Sequence, residues 1–136
     1  MDDIFVARIM TTDLHTVRPG TLVEGAADVI LSNDIGSVIV VNEQNGLEGI
    51  LTSTDFVEIV REQKPKDQTP VSAYMSTEMV TVSAQDSVED AASVMLEHGV
   101  HHLPVVDDTE GVIGIVTTTD LTAYVSNVRS TKAPRA

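Results

Sequence analysis

The feature that most constrains this chain is an internal repeat. Met10 recurs as Met75 and Asp55 as Asp120, in both cases 65 residues further on, and the stretches between them align without a gap. Roughly 18 of about 46 aligned columns are identical, among them Thr16-Val17 with Thr81-Val82, Ala26-Ala27 with Ala91-Ala92, Val40-Val41 with Val105-Val106 and Gly49-Ile50 with Gly114-Ile115. A duplicated unit this small does not bury its apolar face alone. The two copies are therefore expected to pack around a pseudo-twofold axis, with functional sites where they meet.

Each copy carries the same order of elements. A Thr-Val stretch is followed by Thr21-Leu-Val-Glu24 in the first copy and Asp86-Ser-Val-Glu89 in the second, both with the form of a capping box that opens a helix. Val23, Ala26, Ala27, Ile30 and Leu31, and in the second copy Val88, Ala91, Ala92, Met95 and Leu96, form the stripe of a one-sided helix. Ser37 to Val41 and Leu103 to Val106 have the pattern of buried strands. A polar turn ending in Gly46 or Gly111 leads each into a second short strand, Leu47 to Leu51 or Val112 to Val116. Ser53 and Thr118 stand where they can cap a closing helix that carries Asp55 or Asp120 in its first turn. The predicted fold is α/β (α+β), two tandem β-α-β-β-α units over residues 8–62 and 73–127. Residues 63–72, polar and interrupted by proline, form the linker, and residues 128–136 a flexible tail.

The 136 residues are about one domain's worth, too few for an enzyme with separate cofactor and substrate domains. Two Phe, two Tyr and no Trp leave an aliphatic core, which suits buried strands covered by helices. No apolar run approaches the roughly 18 residues needed to cross a bilayer. The first ten residues, with Asp2, Asp3 and Arg8, lack a signal pattern, so a cytoplasmic protein without membrane contact is expected. With no cysteine, disulfides and thiolate chemistry are excluded. A net charge of −13 repels phosphate backbones and makes nucleic acid an unfavourable partner. The same acidic excess, spread over the whole chain, suits solubility in high salt. No Gly-x-Ser-x-Gly, Walker loop or His-Glu-x-x-His spacing occurs, so the expectation is a protein that is not an enzyme and holds no metal.

The unit and its wording resemble the cystathionine-β-synthase (CBS) domain, pairs of which form Bateman modules. The second copy is the closer match, through Tyr74-Met75-Ser76, Val88-Glu-Asp-Ala-Ala92, His101-His-Leu-Pro-Val-Val-Asp107 and Gly114-Ile-Val-Thr-Thr-Thr-Asp120. The first is similar through Ile9-Met-Thr11, Thr16-Val-Arg-Pro19 and Gly49-Ile-Leu-Thr-Ser-Thr-Asp55, but Gly36-Ser37-Val38-Ile39 replaces the His-His-Leu-Pro wording. The resemblance covers about residues 8–125. It implies a regulatory module that binds AMP, ADP, ATP or S-adenosylmethionine between its copies and requires no cofactor. It also implies a homodimer that signals to an effector protein. A ligand-free structural or oligomerisation module is the alternative.

On the same resemblance, the Thr-x-x-Asp that closes each copy holds ribose and phosphate: Thr52, Thr54 and Asp55, and Thr117, Thr119 and Asp120. An acceptor-only carboxylate suits a vicinal diol, although the same Asp residues can simply cap helices. His101 and His102 stand where similar domains face ligand phosphates, or else are a packed or solvent-facing pair. For the adenine slot the resemblance implies Met10 and His15 with Ile35 and Gly36, and Met75 and Val80 with Val100. These are also core-like residues. The resemblance also implies that the site closed by Asp120 pairs the late part of the second copy with the start of the first and gathers the two histidines. It is expected to be the stronger, because the first copy has no basic residue at the matching positions.

Overall fold

The computed structural model describes residues 4–62 and 68–132, with side chains in the last helix described as far as Ser126. It is a mixed α/β fold whose order is α1 (Val6–Ile9), β1 (Thr16–Val17), α2 (Val23–Asn33), β2 (Ser37–Val41), β3 (Leu47–Thr52), α3 (Ser53–Glu62), a 3-10 turn (Val71–Ala73), α4 (Val88–His98), β4 (His102–Asp107), β5 (Gly111–Thr117) and α5 (Thr118–Lys132). The β-α-β-β-α order of each copy is present. In the second copy the first strand is reduced to a single parallel bridge, Val82 to Val105.

The compact units are not the sequence repeats. Unit 1 comprises the chain up to Leu14, Val80–Asp108 and the chain from Ile113 onward, and unit 2 comprises His15–Met79 with Thr109–Val112. The segment leading into each copy is thus built into the other copy's body. In unit 1, Val6 N–H donates to the Asp86 carbonyl at 2.8 Å, Ala7 N–H to Ala84 at 2.9 Å and Val88 N–H to Ile4 at 2.7 Å. Unit 2 has the same strap 65 residues on: Val71 N–H donates to Thr21 at 2.7 Å, Ser72 to Pro19 at 3.1 Å and Val23 to Thr69 at 2.9 Å. The straps satisfy backbone groups that would otherwise be stranded against the core. Val6 and Val71 seal them, each wholly buried. Val71, expected in the linker, is therefore a core residue. Of that linker, residues 63–67 lie outside the described residues.

In unit 2, β2 lies between β1 (parallel) and β3 (antiparallel), and all five of its residues are buried. A strand covered on both faces needs a continuous apolar run, and Val38 to Val41 supplies it. Val17, Val23, Ala26, Ile30, Val38, Val40, Leu51, Ile59 and Val71 form the core. Unit 1 repeats the arrangement, with Val6, Val82, Ala91, Met95, Leu103, Val105 and Val116 around the β4–β5 sheet.

The helix caps depart from expectation by one residue. Thr21 and Asp86 do not cap α2 and α4: Thr21 Oγ1 accepts from Arg18 N–H at 3.1 Å and Asp86 Oδ2 from Ser83 N–H at 2.9 Å, each closing the preceding turn. The N-cap of α4 is Ser87, whose hydroxyl accepts from Asp90 N–H at 3.0 Å, and that of α2 is Leu22, which offers no side-chain acceptor. The C-terminal tail also starts later than expected, since α5 runs on to Lys132. Residues 133–136 lie outside the described residues.

Candidate functional site

Each β-strand that ends in threonine runs straight into a helix, and the turn is locked by the aspartate three residues on. In unit 2, Thr52 N–H and Oγ1 both donate to Asp55 Oδ2, at 2.7 and 3.2 Å. In unit 1, Thr117 N–H and Oγ1 donate to Asp120 Oδ2 at 2.9 and 3.1 Å, and Asp120 N–H returns a bond to Thr117 Oγ1 at 3.2 Å. In unit 1 this is a capping box with Thr117 as the N-cap, and in unit 2 the carboxylate half of the same box is present. Ser53 and Thr118, expected as caps, instead turn toward the segment entering the preceding strand. Ser53 N–H and Oγ donate to the Gly36 carbonyl at 3.1 and 3.2 Å, and Thr118 N–H donates to the His101 carbonyl at 3.0 Å.

The capping role uses one carboxylate oxygen and leaves the other. Asp120 Oδ1 receives a long bond from Thr11 Oγ1 at 3.4 Å, whereas Asp55 Oδ1 has no partner among the described residues. Both aspartates are half-buried.

The strap sets a methionine against the strand that leads to each aspartate. Thr11 pairs with Ile115 in unit 1, its N–H donating at 2.8 Å and its carbonyl accepting at 3.0 Å, and Ser76 pairs with Ile50 in unit 2. The register sets Met10 over Gly114 and Met75 over Gly49, so closely that a β-carbon on Gly114 would lie 2.8 Å from Met10 Sδ and one on Gly49 would lie 2.6 Å from Met75 Sδ. Met10, Val80 and Val100 pack on the unit 1 core, and Ile35 and Met75 on that of unit 2. Because the straps are exchanged, Met10 groups with Val80 and Val100, and Met75 with Ile35, rather than the other way round. His15 is half-buried at the start of β1, and Thr54 and Thr119 are exposed in the first turns of α3 and α5.

The histidines belong to unit 1. His101 is exposed, with Nδ1 at 3.1 Å from Thr118 Oγ1, at the opening of α5. His102 is half-buried at the start of β4, and burial, reinforced by the neighbouring His101 charge, holds its imidazole below the usual histidine range. Between that lowered value and the ordinary one near 6.5, the unfolded chain binds the extra proton. Stability from the neutral ring is then present above the unfolded value and lost as pH falls through the folded one. Urea unfolding from pH 7.5 down to 5.5 should show the loss. His102→Gln should flatten that part of the profile, and an unchanged slope would show that the ring does not titrate in this window.

Sequence reasoning overlooked Thr11, Ser53, Thr118 and the glycines as parts of the site. The signal for Thr11 was available, since Met10-Thr11 and Met75-Ser76 repeat a methionine followed by a hydroxyl residue. Among the described residues no group of three or more His, Cys, Asp or Glu could hold a metal ion. Nor is any helix among them long and apolar enough to cross a membrane.

A pair of tandem α/β units, each closed by a Thr-x-x-Asp turn and each packed by a methionine strap, defines the architecture of a CBS pair. The CBS domain family model matches residues 6–62 and 71–127, and the chain belongs to that family. It is 39% identical over 112 residues to the CBS domain-containing protein YhcV of Bacillus subtilis, covering 82% of this chain and 79% of the relative. The fold matches the CBS domain pair of protein MJ0100, solved with 5′-methylthioadenosine and S-adenosyl-L-methionine. The TM-score is 0.84 and the identity 24%, over 93% of this chain and 99% of that one. It also matches CBSX2 in complex with AMP, with a TM-score of 0.79 and 25% identity, covering 92% and 98%.

Proposed function

We propose that the chain is a non-catalytic regulatory module of the cytoplasm that binds an adenosine-containing ligand, AMP, ADP, ATP or S-adenosylmethionine, at its Thr-x-x-Asp turns. The observation that carries this reading is the duplicated carboxylate, tied down by a threonine through Oδ2 at the end of a strand on which an apolar methionine packs. A fixed acceptor beside an apolar surface suits a ribose diol joined to a purine. The adenosyl ligands of the MJ0100 pair and of CBSX2 support the same class. Ligand binding would shift the population between conformations, and a partner would read the shift.

Self-association is part of the reading. Leu31 and Leu96, related by the repeat, are 80% and 85% exposed, and Val60 and Val125, likewise related, are 75% and 52% exposed. Apolar side chains kept at the surface in both copies suit a homodimer. One observation favours the alternative of a ligand-free structural module: both carboxylates already act as helix caps.

Calorimetry with AMP, ADP, ATP and S-adenosylmethionine separates the two. On the regulatory reading at least one candidate binds saturably, and Asp55→Ala or Asp120→Ala weakens it roughly tenfold or more, the worth of a hydrogen bond to a charged group. Folded protein that binds none of the four would leave the structural module.

A further inference from the structure

Resting on the adenosine-site reading above, we infer that the two units take ligands of different charge. Unit 1 takes an adenosine that carries phosphate. Unit 2 takes one whose 5′ substituent is an uncharged thioether or a sulfonium.

The background field does not separate the units. Over its full sequence ranges, unit 1 carries 10 acidic and 4 basic residues, and unit 2 carries 11 and 4. Selection therefore comes from local side chains, and these differ at corresponding places in the repeat. At the residue whose carbonyl is tied to the helix opening, unit 1 has His101 and unit 2 has Gly36. One residue further on, unit 1 has half-buried His102 and unit 2 has buried Ser37. His101 Nδ1 lies 3.1 Å from Thr118 Oγ1, which leaves Nε2 to meet an incoming anion. In unit 2 the corresponding hydroxyl, Ser53 Oγ, donates to the Gly36 carbonyl, and no imidazole stands beside it.

The carboxylates differ in the same sense. Asp120 Oδ1 is approached by the Thr11 hydroxyl at 3.4 Å, which draws off part of its negative charge. Asp55 Oδ1 has no such donor among the described residues, and Glu58 follows one turn along α3. An anionic phosphate beside Asp55 meets repulsion without compensation, whereas a neutral or cationic 5′ group meets none. The two ligands would then be held on one chain at once, so the protein would report two compounds rather than one.

Titrating the full chain with AMP and with 5′-methylthioadenosine, singly and one over the other, tests this. One equivalent of each should bind without competition. Asp120→Asn should weaken AMP tenfold or more and leave methylthioadenosine unchanged, and Asp55→Asn should do the reverse. His101→Gln, at an exposed position, should weaken AMP roughly tenfold and spare methylthioadenosine. Competition for one site, or the same aspartate governing both compounds, overturns the division while leaving the adenosine reading standing. Binding of neither compound to folded protein removes the adenosine reading and this inference with it.

Discussion

Replacing Gly111 with alanine should cost about 3–5 kcal/mol, a large part of the stability of a domain this size. Two effects add at this position. Its φ of +80° is one that side chains rarely adopt, and a β-carbon there would sit 2.1 Å from the Asn45 carbonyl oxygen. Backbone cannot swing aside as a side chain can. The turn must move away, and three bonds go with it: Val112 N–H to the Asn45 carbonyl at 3.0 Å, and Asn45 Nδ2 to the carbonyls of Glu110 at 2.9 Å and Val112 at 2.8 Å. Gly99 is the internal control. Its φ of +64° is similar, but nothing lies within 4 Å of a β-carbon there, so Gly99→Ala should cost only about 1 kcal/mol, the conformational part alone. Urea unfolding of both variants reads the difference. Equal losses would show that the Asn45 contact is not rigid. Asn45→Ala should lose part of the same energy, and combining it with Gly111→Ala should be less than additive, because both break one set of bonds.

The sequence makes the body of each unit legible and hides how the straps are dealt out. β2 is evident because it is the one place where four aliphatic residues run together. The helices α2 and α4 are evident because Val23, Ala26 and Ile30, and Val88, Ala91 and Met95, keep the helical period, whereas Leu31 and Leu96, read as part of the same stripes, face outward. The exchange of straps leaves no local trace. In a gapless repeat, residues 4–14 carry the same pattern whether they pack on their own copy or on the other. That is why Met10 and Met75 are assigned to each other's neighbours when read from the sequence. The caps go astray for a different reason: Thr21 and Asp86 satisfy the spacing of a capping box, but turns beginning at Arg18 and Ser83 compete for the same side-chain oxygens. Thr52 and Thr117 win the caps of α3 and α5 because a strand residue with free N–H and hydroxyl lies within reach of a carboxylate three positions on. The spacing of each aspartate from its threonine is thus visible in the sequence, while the division of its two oxygens, one for the helix and one left over, is visible only in the geometry.

The glycines of the repeat provide the second large effect. Gly49 and Gly114 are identical in both copies, and the strap explains why: a β-carbon on Gly49 would lie 2.6 Å from Met75 Sδ and 3.0 Å from the Ser76 carbonyl, and one on Gly114 would lie 2.8 Å from Met10 Sδ and 3.1 Å from the Thr11 carbonyl. Gly49→Ala and Gly114→Ala should each cost about 1–3 kcal/mol as the methionine is expelled and the backbone pair loosens. Gly49→Ala should be the worse of the two, because its contacts are the shorter. Met10→Ala placed in the Gly114→Ala background should recover part of the loss, since the thioether can be removed, whereas the Thr11 carbonyl cannot. A double-mutant cycle on thermal unfolding measures that coupling. Because Thr11 follows Met10 directly and donates to Asp120, displacement of the strap also removes the donor from Oδ1. Gly114→Ala should therefore change ligand affinity at Asp120 while Gly49→Ala leaves it alone. Equal effects of both glycines on that affinity would mean that the methionine straps act on stability only, and that Asp120 is positioned entirely by its own helix cap.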